Sequence, residues 1–414
     1  MLYNFIRKIY KSINAKAVSN NGVEKERMPL EQQRAFLASF AEPKDDFERS
    51  YYKYQCFFEY CYYDRKWQKV IYNIGAMIVL PFVRWKFKKK QVTPYGKPVD
   101  AVIENVPRLP NADVIPEELK AKYTNVYDLT EINYGECYLD ETADNICKEL
   151  KHRYFWHFYF RLIVMIKMAL FNSYIERYSP KAIVFYSIER EFSGPLQTYL
   201  CEQKGVRYEA FMHGDYLYSV CFAFMRFSAY YTWDEAYNRM FEELRCQFPM
   251  TTYVPEKLKG IAEKLDEHDC KYFMTYYFSD ETRKCAEVVR DIFDEFRKAG
   301  LRCKLRPHPR FSDMEMLGDV FRDYEIEKPR EYSLASSITE TLYTVGLNTT
   351  VLSQAYFSGK TVVIDDMTMP AQYQELADKG YIMMNRPHLC LSEVLGQIRD
   401  GCPYDESYQF TVRG

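Results

Sequence analysis

The chain has 414 residues, with 56 Lys and Arg against 58 Asp and Glu, for a formal net charge of -2. That length exceeds one compact core and predicts two domains, while the near-neutral charge makes no electrostatic case for nucleic acid as a partner. Apolar and charged fractions of 47% and 28% are those of a globular chain and exclude a disordered one. Twelve cysteines without a CxxC pair, and six dispersed histidines without an HExxH, argue against a disulfide scaffold and a zinc site. They predict reduced thiols, a cytoplasmic protein and no structural metal. The 38 tyrosines and 28 phenylalanines admit two readings, aromatic faces for sugar rings or compositional bias of the lineage.

Residues 1–95 read as a helical N-terminal extension dense in Tyr and Lys. Its start, MLYNFIRKIYKSINAK, is basic and partly amphipathic, without the longer apolar core and small-residue cleavage site of a signal peptide. The apolar run Ile71 to Val83 is followed by Arg84, Lys86, Lys88, Lys89 and Lys90. It is shorter than the roughly 20 residues that span a bilayer, and Pro81 is expected to interrupt it. Residues 67–90 therefore have two readings: an interfacial helix making peripheral contact with an anionic membrane, or a buried helix with a solvated basic end.

From 96 to 247 short apolar strands alternate with helices, which predicts an α/β, Rossmann-like, doubly wound domain. Val99 to Ile103 and Asn125 to Leu129 read as strands, Pro116 to Tyr123 as a helix. Phe155 to Tyr178 is strongly apolar, but Arg161, Lys167 and His157 interrupt it and mid-bilayer charges are costly; a buried crossover helix ended by Ser179-Pro180 is expected. Ala182 to Tyr186 and Tyr208 to Met212 are strands flanking a helix that Gly205 closes. Alternation of this kind implies a parallel sheet with ligands at its carboxyl ends, which puts Ser187 to Phe192 and His213 to Tyr216 on one rim. Phe227 to Trp233 follows as a strand and Asp234 to Arg245 as a helix. Residues 248–267 read as a linker, 268–400 as a second Rossmann-like domain and 401–414 as a tail.

Two motifs in the second domain carry chemistry. Gly346-Leu347-Asn348-Thr349-Thr350 opens a helix, whose first N–H groups and dipole suit a phosphate, with the threonine hydroxyls as further donors; an ordinary N-cap is the competing reading. Arg306-Pro307-His308-Pro309-Arg310 follows a strand, and its two prolines hold the loop stiffly extended. His308 beside Arg306 and Arg310 suits a phosphate leaving group; a turn with a solvent-facing His is the alternative. Asp365-Asp366 follows the last clear strand and reads as loop.

These motifs, RPHP and then NTTVLSQAYFSGKTVVI, resemble the C-terminal domain of bacterial GT-B glycosyltransferases of surface-polysaccharide synthesis, in particular His-Pro-motif sialyltransferases and CDP-glycerol glycerophosphotransferases. Those enzymes contact the donor's phosphate through His-Pro and a later hydroxyl pair. The matching positions here are His308-Pro309 and Thr349-Thr350, a Thr-Thr pair in place of Ser-Ser or Ser-Thr. The resemblance covers about 280 to 365 well and the first domain in outline. It implies two Rossmann-like domains facing a cleft, acceptor-side at 96–247 and donor-nucleotide-binding at 268–400. It further implies an inverting transfer from a nucleotide-sugar donor, with a CMP-sugar favoured, to a glycan or lipid-linked glycan at the inner face of the cell membrane. By resemblance His213 is the general base, with Glu189, Glu191 and Asp215 as nearby carboxylates that could substitute. Donor contacts fall to His308, Pro309, Arg306, Arg310, Asn348, Thr349 and Thr350. Without a DxD motif in the first domain, no metal cofactor is expected. Polyol-phosphate transfer from CDP-glycerol or CDP-ribitol, a UDP-sugar 2-epimerase-like reaction, and a non-catalytic polysaccharide-binding or assembly protein remain as alternatives.

Overall fold

The computed structural model describes residues 28–62, 66–88, 92–104, 115–130, 134–186, 188–258, 270–278, 282–309 and 312–400. The basic N-terminal segment, Lys89, Lys90, Ser187, Arg310 and the 401–414 tail lie outside the described residues. The chain divides into two compact units. One holds residues 28–258 with 378–382, the other residues 270–377 with 383–400.

The first unit begins with helices α1 (Leu30–Ala38), α2 (Asp46–Cys61) and α3 (Trp67–Lys88). There follow β1 (Ala101–Glu104), α4 (Glu117–Lys122), β2 (Val126–Leu129), α5 (Glu141–Arg153), α6 (Phe158–Tyr178), β3 (Ala182–Tyr186), α7 (Gly194–Gln203), β4 (Arg207–Phe211), β5 (Ala229–Thr232), α8 (Glu235–Glu243) and β6 (Met250–Thr252). Aspartates start three of the helices: Asp45, Asp140 and Asp234 accept the N–H groups of Glu48, Ala143 and Ala236. The crossover helix α6 is apolar over most of its surface and mostly buried, and it stops where Ser179 turns left-handed at φ 46° before Pro180. The sheet is wholly parallel in the order β2-β1-β3-β4-β5-β6, with Ile103 opposite Val184 and Tyr186 opposite Phe211. Strand β3 is buried along its whole length, as expected of a parallel strand covered on both faces.

Three sequence expectations change. Helices α1 to α3 are no separate extension: Ser50 donates to the Phe192 carbonyl at 2.6 Å, Lys53 to the Glu189 carbonyl at 2.6 Å, and Arg245 reaches back to the Phe40 carbonyl at 2.8 Å. Pro81 does not interrupt α3, which runs 22 residues through it, with the proline on the helix's exposed side. The linker region opens with β6, an edge strand that is half exposed and therefore lacks the apolar run that marks its neighbours.

The second unit contains β7 (Tyr272–Tyr277), α9 (Arg283–Lys298), β8 (Cys303–Arg306), α10 (Met314–Val320), β9 (Glu325–Ile326), α11 (Leu334–Thr339) and β10 (Thr341–Gly346). It continues with α12 (Thr350–Phe357), β11 (Thr361–Ile364), α13 (Pro370–Asp378), β12 (Leu389–Cys390) and α14 (Leu391–Arg399). Its six strands are parallel in the order β12-β11-β10-β7-β8-β9. The chain builds outward from β7 through β8 and β9, then returns to β10 on the other side of β7 and builds outward again. The sheet is thus doubly wound, and its strand order reverses between β7 and β10. Phe273, Phe293, Phe296, Leu305, Val345 and Val363 fill its core. Strands β9 and β12 are two residues long, too short to show a period in sequence.

Candidate active site

In open parallel sheets ligands bind at the carboxyl ends of the strands, in the crevice where the strand order reverses. In the second unit that place is the end of β7 and β10. Strand β10 ends on Gly346, and the turn Leu347-Asn348-Thr349 leads directly into α12. Close packing explains the glycine. A Cβ there would lie 3.2 Å from both the Tyr277 carbonyl oxygen of β7 and Thr349 Cγ2. Thr349 is the N-cap of α12, its hydroxyl accepting the Val351 N–H at 3.4 Å, and Asn348 is exposed beside it. The helix thus presents its N-terminus at the reversal point, where its dipole favours an anion.

His308 stands at the end of β8, on the far side of β7 from Gly346 in the same sheet. Its ring is half-buried between buried Pro307 and exposed Pro309, and its backbone N–H donates to Ser312 Oγ at 2.8 Å. Arg306 is placed differently from expectation. It is buried, with its guanidinium donating to Glu327 at 2.7 Å and to the Tyr332 carbonyl at 3.0 Å. Lys304, two residues earlier on the same strand face, joins it on Glu327 at 2.5 Å. The motif's first arginine is therefore engaged by a buried ion cluster, which the local sequence could not reveal because Glu327 arrives from β9's end. Asp365 braces the neighbouring loop, accepting the N–H groups of Met367 and Thr368 at 2.9 and 3.0 Å and the Tyr276 hydroxyl. Asp366 accepts the Ser392 N–H at 2.9 Å, so both act as loop residues.

The corresponding rim of the first unit gathers ionisable side chains. Glu189, after β3, is almost fully buried and accepts the hydroxyls of Tyr216 at 2.6 Å and Tyr230 at 2.9 Å. Tyr216 Oη also lies 2.8 Å from His213 Nδ1. A tyrosine has one hydroxyl proton, and here it goes to the carboxylate; His213 Nδ1–H must then donate to the tyrosine oxygen. In that neutral tautomer Nε2 is the unprotonated ring nitrogen. Burial, followed by the Glu189 charge, raises the hydroxyls of Tyr216 and Tyr230 well above the usual phenol range, so both remain proton donors. From below, Lys53 is completely buried and holds the carbonyls of Glu189, Cys221 and Ala223 at 2.6, 3.2 and 3.2 Å. Glu189, Tyr216 and His213 thus form a relay from carboxylate to imidazole. A base of this form can take a proton at Nε2 and stabilise the imidazolium that results.

The other two acidic candidates lie outside this relay. Asp215 accepts the Tyr237 hydroxyl at 2.7 Å. Glu191 pairs with Lys167 of α6; burial would lower the Lys167 ammonium, and Glu191 beside it more than reverses this. Sequence reasoning passed over Glu104. It is the last residue of β1, at the reversal between β1 and β3, and burial, then the Glu191 charge, push its carboxyl up to about 7. No spacing in the chain marks it, because β1 and β3 become neighbours only in the folded sheet.

No protein-family model matches the chain, and no curated protein matches it. Solved structures with a similar arrangement of elements include the calicheamicin glycosyltransferase CalG4, at 12% identity over 75% of this chain and 91% of that one, with a TM-score of 0.43. The wall teichoic acid polymerase TagF matches at 10% identity over 81% and 87% of the two chains, with a TM-score of 0.39. A UDP-N-acetylglucosamine 2-epimerase from Rickettsia bellii matches at 10% identity over 64% and 78%, with a TM-score of 0.35. Likenesses this remote say nothing of substrate or reaction, and the chain's own two α/β units with parallel, doubly wound sheets define its fold class.

Proposed function

We propose that the protein is a glycosyltransferase of the two-domain GT-B kind. In this reading it takes a sugar from a nucleotide-sugar donor, a CMP-sugar in first place, and places it with inversion on a glycan or lipid-linked glycan. It works without a metal cofactor, in the cytoplasm at the inner face of the cell membrane. The observation that supports this best is the position of the Gly346 to Thr350 turn. It opens a helix at the strand-order reversal of a six-stranded parallel sheet, where such sheets bind nucleotides. His308, from the end of β8, supplies a donor to the departing phosphate, and the N-terminus of α12 neutralises its charge. His213 Nε2 takes the acceptor hydroxyl's proton as that oxygen attacks the anomeric carbon and the bond to the phosphate oxygen breaks. Tyr216 and Glu189 hold the imidazole in the required tautomer and offset its positive charge. The preference for CMP rests on the resemblance of His308-Pro309 and Thr349-Thr350 to the sialyltransferase pattern.

The test is turnover of a panel of CMP-, CDP-, UDP- and GDP-activated donors, read as nucleotide release and product mass with glycan acceptors. The expected result is CMP release from a CMP-sugar with a matching gain of sugar mass, both lost in His213→Ala. A gain of one polyol phosphate from CDP-glycerol or CDP-ribitol would replace sugar transfer by polyol-phosphate transfer. Nucleotide binding with no turnover of any donor would make the chain a non-catalytic relative on the same fold.

A further inference from the structure

Helix α3 carries an apolar face that nothing among the described residues covers. Trp67, Ile71, Ile74, Ile78, Phe82 and Trp85 recur at three-, four- and seven-residue spacing and are 49–62% exposed. At 3.6 residues per turn they lie in one stripe, about 27 Å long from Trp67 to Trp85. The buried residues Gln68, Tyr72, Ala76 and Phe87 lie on the opposite side, where α3 packs against α6. That packing keeps the helix attached along its length, so it can lie on a membrane without leaving the unit to cross it. A second element adjoins the stripe. Asn73 donates to the Trp156 carbonyl at 2.7 Å and accepts the Tyr159 N–H at 3.1 Å, fixing the turn that exposes Phe155 and Trp156, the latter 73% exposed.

The charge on this surface decides what fits it. No Asp or Glu occurs from Trp67 to Lys88. At the helix's C-terminal end Arg84 and Lys88 each approach the buried Asp144 at 2.6 Å and Lys148 approaches it at 3.4 Å, three cations on one carboxylate. Lys86, in the same last turn of the helix, is exposed. Two copies of α3 laid side by side in parallel would set cations against cations, because the helix offers no carboxylate to meet them. Anionic lipid headgroups meet the basic end, and tryptophans at both ends of the stripe suit the boundary between headgroups and acyl chains.

We propose that the exposed face of α3, extended by Phe155 and Trp156, is a docking surface that lies in the plane of an anionic bilayer, with Lys86 and the Asp144 cation cluster on the headgroups. This sharpens the membrane location of the proposed function into a particular surface, and it rests on that location but not on any transfer chemistry. The test uses the full chain without nucleotide, mixed with phosphatidylcholine vesicles with or without about one-third phosphatidylglycerol, and read by flotation. Binding to the anionic vesicles should be at least about tenfold tighter than to neutral ones and should weaken in high salt. An Ile78→Asp, Phe82→Asp double variant should lose at least about tenfold in binding while keeping its melting temperature, since both residues are exposed; Trp156→Asp should lose less. Equal vesicle binding by the double variant, or none by the wild type, overturns the proposal. A concentration-dependent dimer that the double variant dissolves, with no vesicle binding, would assign the face to a second copy instead. Because turnover is not the readout, this test can fail while the transfer reading stands, and the reverse.

Discussion

The two candidate rims are built from different materials. The rim of the first unit is a set of side chains: a buried carboxylate, two tyrosines, a histidine and a fully buried lysine beneath them. The rim of the second unit is largely backbone: a helix N-terminus placed by a glycine that has no room for a Cβ, and a histidine held between prolines. Backbone N–H groups and a dipole hold a charge in place, and they are suited to an anion that must be bound and released. A linked chain of carboxylate, hydroxyl and imidazole sets a tautomer, and it is suited to moving a proton. In the proposed reading the first unit does the acid–base work and the second binds the phosphate.

The largest effect that could break this division is on rate. His213→Ala should lower turnover by about 10²- to 10⁴-fold with donor affinity unchanged, measured as kcat against donor KM; a loss confined to donor KM would move His213 out of the proton-transfer role. Tyr216→Phe should fall in the same direction by less, because the Nδ1–H loses its acceptor while Glu189 keeps the Tyr230 hydroxyl. Next comes stability. Lys53→Met leaves three buried carbonyls without their ammonium donor and should cost about 3 kcal/mol in denaturant unfolding, whereas a cost near zero would show that Lys53 does not hold the Glu189 segment.

A smaller, pH-dependent effect sharpens the account of the first rim. The Glu104 carboxyl is raised in the folded state from its ordinary 4.5 to about 7. The folded state therefore holds this proton more tightly than the unfolded one. The stability it contributes is full below the unfolded value and is lost as pH rises through the folded value. Glu104→Gln should match the wild type's melting temperature near pH 4 and gain on it steadily up to about pH 7.5. A constant difference across that range would remove Glu104 from the buried acidic group with Glu191. The smallest effect falls on the second rim. Gly346→Ala must displace Thr349 or the Tyr277 carbonyl by a few tenths of an ångström and should cost about 1 kcal/mol, with weaker nucleotide binding as its companion.

The second rim was the more legible in sequence because its signals are local. A glycine, an N-cap threonine and two prolines declare their backbone roles within a few residues, and strand β11 and helix α12 fall where the pattern put them. Arg306 is the exception, since its partner Glu327 lies 21 residues on. The first rim was legible only in part. Its strands ended where expected, so His213 and Glu189 were brought onto one rim. The relay itself depends on Tyr216 and Tyr230, 27 and 41 residues from Glu189, and on Lys53, 136 residues away on a helix the sequence had set apart. Partners that distant leave no period or spacing to read. The exposed side of α3 was hidden for a similar reason: an apolar run looks the same in sequence whether its outer face is covered or bare, and only the exposure of Trp67, Ile78 and Phe82 in the folded unit tells the two apart.

The measurement closest to the central claim is thermal stabilisation by CMP, CDP, UMP, UDP and GDP, each with and without Mg²⁺, on the wild type and on His308→Ala. A ligand at about 100 times its dissociation constant should stabilise the fold by about 2.7 kcal/mol. The account predicts a shift with a cytidine nucleotide that is indifferent to Mg²⁺ and lost in His308→Ala. No shift with any of the five nucleotides, or a shift that His308→Ala leaves intact, would contradict it.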